Sequence, residues 1–397
     1  MVNLPKINDI HKIYLMNFLN QMQLFGAVAV PFFLDWGKIN YTQMFLLEAW
    51  FMFWIFVLEI PTGIIADRYG RKVSMILSLL CTASSMFIFG LTTDYSMYFV
   101  AEFVGAMGVS LMSGACEAWI YDTLLKMKKE KDAKRVMSNY SASSTMAMVV
   151  AFPLGSLLVG SGLVQYPYVL ALTFILSGVT SLLAFLVMLT VHEPKVSRSS
   201  SEGFLAAGLN GLKHIFKHRS LRAFTINSVL IRSVTFFMFW LYQPLLKTVG
   251  FDIGLNGFVG AGFNLFGMFL LMNVERLERW FGTKNLLFYT AVIPGLAFIS
   301  IVVLKGAFLA LVGIFLVTAL VQLRGPVLSA FMNEHIESKN RATVLSGISM
   351  LGRLTTMVLY PVVGFLSDIS IDHALAVLGI ITLVFAFLTK VDEEHLN

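Results

Sequence analysis

Gly63-Ile-Ile-Ala-Asp67-Arg68-Tyr69-Gly70-Arg71-Lys72 is a charged segment set between two long apolar runs. Runs of about 20 apolar residues have the length an α-helix needs to cross a bilayer. The segment therefore reads as a tight turn between two membrane spans, with Gly70 at the bend. A weaker copy, Arg279-Trp-Phe-Gly282-Thr-Lys284, follows a later apolar run, so that Gly70 matches Gly282 and Lys72 matches Lys284. The chain reads as two copies of one helical unit.

Composition extends this reading to the whole chain. Of 397 residues, 57% are hydrophobic and 13% charged, against about 25% charged in soluble domains. Apolar runs predict twelve helices, near 13–33, 41–62, 73–92, 96–122, 137–160, 167–191, 222–246, 252–273, 285–303, 306–332, 342–366 and 371–390. The first run lacks a small-residue cleavage site after it and is expected to be a retained helix. The stretch 192–221 is polar at first. It then carries Leu205, Leu209, Leu212 and Phe216 at helical spacing, which predicts an amphipathic helix on the membrane surface. The expected organisation is thus a six-helix bundle over 1–191, a linker over 192–221 and a second bundle over 222–397. Cys81 and Cys116 both lie in apolar runs and suggest no disulfide framework.

Charge sets the expected orientation. Alternate loops hold 23 Lys and Arg on one side, against Lys38, Lys247 and Lys305 on the other. Basic loops stay cytoplasmic, so both termini are expected in the cytoplasm of an inner, or cell, membrane. The net charge of +6 is then explained by anionic lipid headgroups rather than nucleic acid.

The segment Gly63-x-x-x-Asp67-Arg68-x-Gly70-Arg71-Lys72 resembles the signature loop between helices two and three of the major facilitator superfamily. Glu59-Ile-Pro-Thr-Gly63 and Glu117-Ala-Trp-Ile-Tyr-Asp122-Thr-Leu124 are also similar to bacterial and archaeal members. The resemblance implies an all-α fold of twelve transmembrane helices in two pseudo-symmetric bundles, acting as a transporter. It further implies a cytoplasmic gate in which Asp67 meets the start of helix eleven and Arg71 pairs with Asp122. Arg68 and Gly70 belong to that loop, and the alternative is that its bases merely anchor it to phosphates. Ala151-Phe-Pro153-Leu-Gly155-Ser156 partly resembles the Gly-Pro motif of antiporters in the family. Helices one, four, seven and ten are implied to line a central cavity.

Ionisable groups inside spans are costly, about 2.5–3.5 kcal/mol each on insertion scales, and so mark candidate sites. Glu102, Ala106, Ser110, Ser113 and Glu117 fall on one face of helix four at about 100° per residue. Glu102 or Glu117 is the candidate proton acceptor; the alternatives are a structural lock or, for Glu117, a place in the gate. Asn17, Asn20 and Gln21 on helix one form a candidate substrate surface. On helix seven Arg232 and Thr235 share a face with Tyr242. Arg232, Thr235, Trp240 and Tyr242, with Ser110 and Ser113 of helix four, are candidate substrate contacts; the alternatives are an interfacial aromatic belt for Trp240 and Tyr242 and an internal salt bridge for Arg232. Gln322 is a cavity candidate on helix ten, with Arg324 turned away as a packing or gate charge. Arg353 on helix eleven is expected at a contact between the halves.

The chain shows no phosphate-binding GxxxxGK[ST] loop, no metal-ligand spacing and no GxSxG nucleophile. No cofactor and no enzymatic activity are expected. The expected function is secondary active transport by a monomer, with small-molecule substrate and protons as partners, as efflux of a small organic or amphipathic compound. Uptake or facilitated diffusion of an organic anion, and a non-transporting receptor or scaffold, are the alternatives.

Overall fold

In the computed structural model the chain is described over residues 7–194, 204–335 and 338–389. Among these residues there is helix and no strand. Eleven helices are long and apolar enough to cross a membrane. A twelfth span is formed when the bent pair Asp9–Ala27 and Ala29–Trp36 is counted as one. The chain is therefore a multi-pass membrane protein. This follows from physics: hydrocarbon offers no partner for backbone N–H and C=O groups, and a helix satisfies them within itself.

Contacts divide the chain into two units, residues 1–39 with 50–203, and residues 40–49 with 204–397. The second span, Tyr41–Tyr69, is one continuous helix that starts in the second unit and continues into the first. It also runs farther than the predicted end at 62, because Gly63–Tyr69 continues the helix and the bend falls at Gly70.

In the first unit, close packing relies on small residues and serine hydroxyls. Ser74, Ser78 and Ser85 of the third span, Arg71–Leu91, donate to the carbonyls of Leu111, Gly108 and Ala101 at 2.6, 2.6 and 2.8 Å. Polar glue of this kind replaces the hydrophobic drive that lipid removes. Phe32, Phe89, Tyr98 and Phe174 stack around one another at the opposite end, with Phe32 and Phe174 only 3.9 Å apart between ring centres.

The second unit repeats the turn found in the first. Gly70 has φ +106° and ψ 150°, and Gly282 has φ +74° and ψ 151°. Positive φ strains any residue with a Cβ, which is why glycine occupies both bends. Helix Phe204–Lys217 forms within the expected linker, but its docking face differs from the one its leucines suggested. A Cβ on Gly211 would lie 2.0 Å from Thr343 O, so the helix backbone sits directly on the eleventh span, Thr343–Ile369. Gly208, Gly211 and Ile215 are buried there, whereas Leu209 and Phe216 are exposed.

Gly155 offers a direct test of packing, because its Cβ would lie 1.9 Å from Leu24 O. Gly155→Ala is expected to lower stability by about 1–3 kcal/mol, the usual cost of overpacking. Gly352→Ala, which meets nothing within 4 Å, should not. Thermal melting of the detergent-purified variants reads this, and equal melting would remove the packing role.

Candidate functional site

The first span is broken where its amides gather. Helix Ile7–Asn20 stops, a short 3-10 turn Leu24–Ala27 follows, and the chain resumes at Ala29 with a 64° bend. The exposed backbone finds partners on the sixth span, Tyr168–Leu189. Leu24 N donates to Ser177 Oγ at 3.0 Å, and Thr180 Oγ1 donates to Met22 O at 3.3 Å. The fifth span, Glu130–Gly160, makes room. Gly155 admits the Leu24 carbonyl, and Phe152 occupies the space that a Cβ on Gly26 would need. The Pro-Gly segment noticed in the sequence is thus the seat of the broken helix.

Asn20, Gln21 and Gln23 are half-buried at the break, and Asn20 Oδ1 accepts from Ser181 Oγ at 3.2 Å. Asn17, grouped with them in the sequence, is a packing residue instead. It is 3% exposed, and its Nδ2 lies 2.7–3.0 Å from Ser144 Oγ, Ser143 Oγ and Tyr140 O, tying the first span to the fifth.

The polar stripe expected on the fourth span is cut in two. The span is helical over Tyr95–Met112 and again over Ala115–Lys126, with Gly114 in the left-handed region at φ +70°. Above the break Glu102 and Ser110 are buried, and Ser110 Oγ donates to Ile55 O at 3.4 Å. At the break Ser113 is exposed and its Oγ donates to Glu59 Oε1 at 3.2 Å, and below it Glu117 is exposed. Glu102 and Glu117 thus lie on opposite sides of the break, one buried and the other exposed.

The charged turn after the second span is held by three separate groups. Arg71 Nη1 lies 2.5 Å from Asp122 Oδ2 in an ion pair. Glu193, just beyond the sixth span, accepts from Arg71 N at 3.0 Å and Lys72 N at 2.7 Å, so its carboxylate caps the third span. Lys72 Nζ donates to Leu189 O at 2.8 Å. Asp67 and Arg68 are exposed. Nearby, buried Asp9 pairs with Lys12 at 3.4 Å and faces His192 Nδ1 at 3.1 Å. Glu193 has no counterpart among the residues singled out from sequence. It lies 122 positions from Arg71, so only folding brings them together.

In the second unit most of the expected cavity residues turn inward. Thr235 is 3% exposed and donates to Ile231 O of its own helix. Trp240 packs edge-on to Phe45, and fully buried Tyr242 packs edge-on to Phe263. The Gln322 amide sits on Gly267 of the eighth span, Ile253–Met272, where a Cβ would be 2.5 Å from its oxygen. These four are corrections: Thr235 bonds its own helix at i−4, the Gln322 amide packs on a glycine, and the rings of Trp240 and Tyr242 are buried in aromatic packing rather than lining a cavity. Arg232 is exposed and Arg353 half-buried. Arg324 is buried and donates to Leu287 O at 2.6 Å, Thr290 Oγ1 at 3.1 Å and Asn227 Oδ1. Neutral oxygens thus surround its guanidinium, which fits the packing role. Among the described residues no three His, Cys, Asp or Glu side chains group as metal ligands.

The Glu193 cap is testable. Glu193→Ala removes two charge-assisted hydrogen bonds, each of a kind that typically contributes about 1 kcal/mol or more. Amide hydrogen exchange at 71–74 is expected to speed up about 5- to 30-fold, and unchanged protection would show that the cap is dispensable.

Comparison with known proteins places this architecture. The sequence profile of the Major Facilitator Superfamily matches residues 13–323. The uncharacterized MFS-type transporter YxaM of Bacillus subtilis (strain 168) is 21% identical over 349 residues, covering 86% of this chain and 85% of that protein. Multidrug resistance protein 1 of the same organism is 26% identical over 320 residues, covering 77% and 76%. The crystal structure of the nucleoside transporter NupG superposes with a TM-score of 0.80 at 15% identity, covering 96% of this chain and 98% of that one, a likeness of fold alone. The two-copy helical repeat, the charged turn after the second span and the profile match together make this chain a member of the Major Facilitator Superfamily, a membrane transporter of small molecules and not an enzyme.

Proposed function

We propose that the protein is a proton-coupled efflux transporter of a small organic or amphipathic compound, working by alternating access in the cell (inner) membrane. The observation that carries the reading is the broken first span. Non-helical backbone at membrane depth is tolerated only where protein buries it or a water-filled cavity meets it. Here it sets Asn20, Gln21 and Gln23, all half-buried, beside Phe152 and Gly155 of the fifth span. Amides and aromatic carbon together suit a ligand that is partly polar and partly apolar. Two relatives named multidrug resistance proteins, at 26% and 27% identity, support the efflux direction.

Buried Glu102 is the candidate proton acceptor of the fourth span, and exposed Glu117 acts nearer the gate. In this reading Asp67, Arg68, Gly70, Arg71 and Asp122 form the cytoplasmic gate, Arg353 answers it from the other half, and both termini are cytoplasmic. One chain works as a monomer, with its basic loops on lipid headgroups. Exposed Arg232 favours a second reading, uptake or facilitated diffusion of an organic anion.

Proteoliposomes with an internal pH dye, challenged with organic cations, anions and neutral amphiphiles, test both. Efflux predicts a proton flux that depends on an amphipathic substrate, is lost in Glu102→Gln and is weakened at least tenfold in Gln21→Ala. Equilibration of labelled anions without proton movement, abolished by Arg232→Ala, would replace it with the second reading. Asp67→Asn is expected to change exchange rates while leaving melting unaltered, and normal exchange would remove Asp67 from the gate.

A further inference from the structure

The start of the second span and the far half of the eleventh meet along three successive turns, all within the second unit. At the first turn Asp368 caps the second span from outside it. Its Oδ1 accepts from Tyr41 N at 2.8 Å, and its Oδ2 accepts from Thr42 N at 2.9 Å and Thr42 Oγ1 at 2.5 Å. At the second turn Gly364 lets the backbones touch, since a Cβ there would lie 2.9 Å from Thr42 Cα and Tyr41 O. At the third, Tyr360 packs on Phe45 at 5.6 Å between ring centres, and its hydroxyl donates to the carboxyl of Glu48. Residues 360, 364 and 368 on one helix and 42, 45 and 48 on the other are the i, i+4 and i, i+3 positions that line single faces.

We propose that Glu48 is a proton-binding acid of the transport cycle, and that this seam closes when Glu48 is neutral and opens when it ionises. Glu48 is 8% exposed and Tyr360 1%. Among the described residues no ion pair reaches Glu48. One phenol suffices for a neutral acid, whereas a buried carboxylate needs a cation or several donors. Phe45, Phe237 and Trp240 supply aromatic carbon around the same turn. The other titratable or charged groups on the helices that pack at this turn are Tyr41, Glu59, Asp67, Arg68 and Tyr69 on the second span, Asp368 two turns beyond Tyr360 and half-buried Arg353 two turns before it on the eleventh, and Arg222, Arg232, Tyr242 and Lys247 on the seventh. Glu102 is the buried acid of the fourth span, in the other unit.

The sign follows. Deprotonation leaves a charge that the closed seam cannot solvate, so rising pH favours opening and falling pH favours closure. The assignment rests on the proton-coupled reading and adds the acid through which protons act on the seam.

Spin labels at Leu46→Cys and Phe365→Cys, both exposed and one on each helix, report the seam in full-length protein with Cys81 and Cys116 replaced by Ser. Between about pH 5.5 and 8.5 the wild type is expected to gain a longer-distance population. Glu48→Gln should hold the short distance at both ends, and Tyr360→Phe should move the midpoint to lower pH, because it removes a cross-seam hydrogen bond made only in the closed state. A pH-independent wild type, a Glu48→Gln protein that still switches, or an unmoved midpoint in Tyr360→Phe overturns the proposal, the last of these even if Glu48→Gln fails to fold. Substrate-driven proton flux in the same liposomes separates the two ideas. Wild type without flux overturns the coupled reading, and with it a role for Glu48 in transport. Flux that persists in Glu48→Gln overturns Glu48 alone.

Discussion

A backbone group left without a partner in hydrocarbon costs several kcal/mol, and the breaks within the first and fourth spans answer to that penalty. The first span unwinds only where Ser177 and Thr180 meet its freed N–H and C=O groups. The fourth span breaks at a glycine that accepts φ +70° without strain. The same penalty accounts for the serine contacts of the third span, whose hydroxyls reach carbonyls of the fourth. Polar chemistry lies both where helices fail and where unbroken helices meet, as at Arg324 and Asn17, and the break in the first span is held by small residues.

Much of the architecture could be read from the chain because it depends on local quantities. Span length is set by bilayer thickness, and the bends at Gly70 and Gly282 by a backbone conformation that only glycine adopts freely. Helix Phe204–Lys217 was legible from its spacing. Its docking face was not, because Gly208 and Gly211 carry no hydrophobic signal, and their contribution is closeness to Thr343 rather than side-chain area. The break in the first span escaped for a related reason. Pro31, one turn after it, withholds an N–H from the Ala27 carbonyl, but the room for the unwound backbone comes from Gly155, more than a hundred residues away.

The candidate site was legible in part. Asn20, Gln21 and Arg232 occupy half-buried or exposed positions, and Arg71 meets Asp122. Ser110, Thr235 and Gln322 misled, because a helical wheel counts any hydroxyl or amide as polar, although each of these is satisfied by a neighbouring carbonyl or packed on a glycine. Trp240 and Tyr242 were read as facing a cavity, yet their rings complete aromatic clusters. Glu193 could not have been found, since capping depends on where a helix begins in space rather than on its own surroundings in sequence.

The twin turns at Gly70 and Gly282 share a backbone shape but not a set of charges. Glu193 and Asp122 brace the first, whereas in the second Thr283 Oγ1 donates to Glu278 Oε1 at 2.6 Å, a bond made within its own loop. Shape and electrostatics are therefore separable inheritances here. The same hinge conformation thus occurs twice, held in one unit by carboxylates from distant positions and in the other with a bond inside its own loop, so two turns of one shape divide their labour unequally.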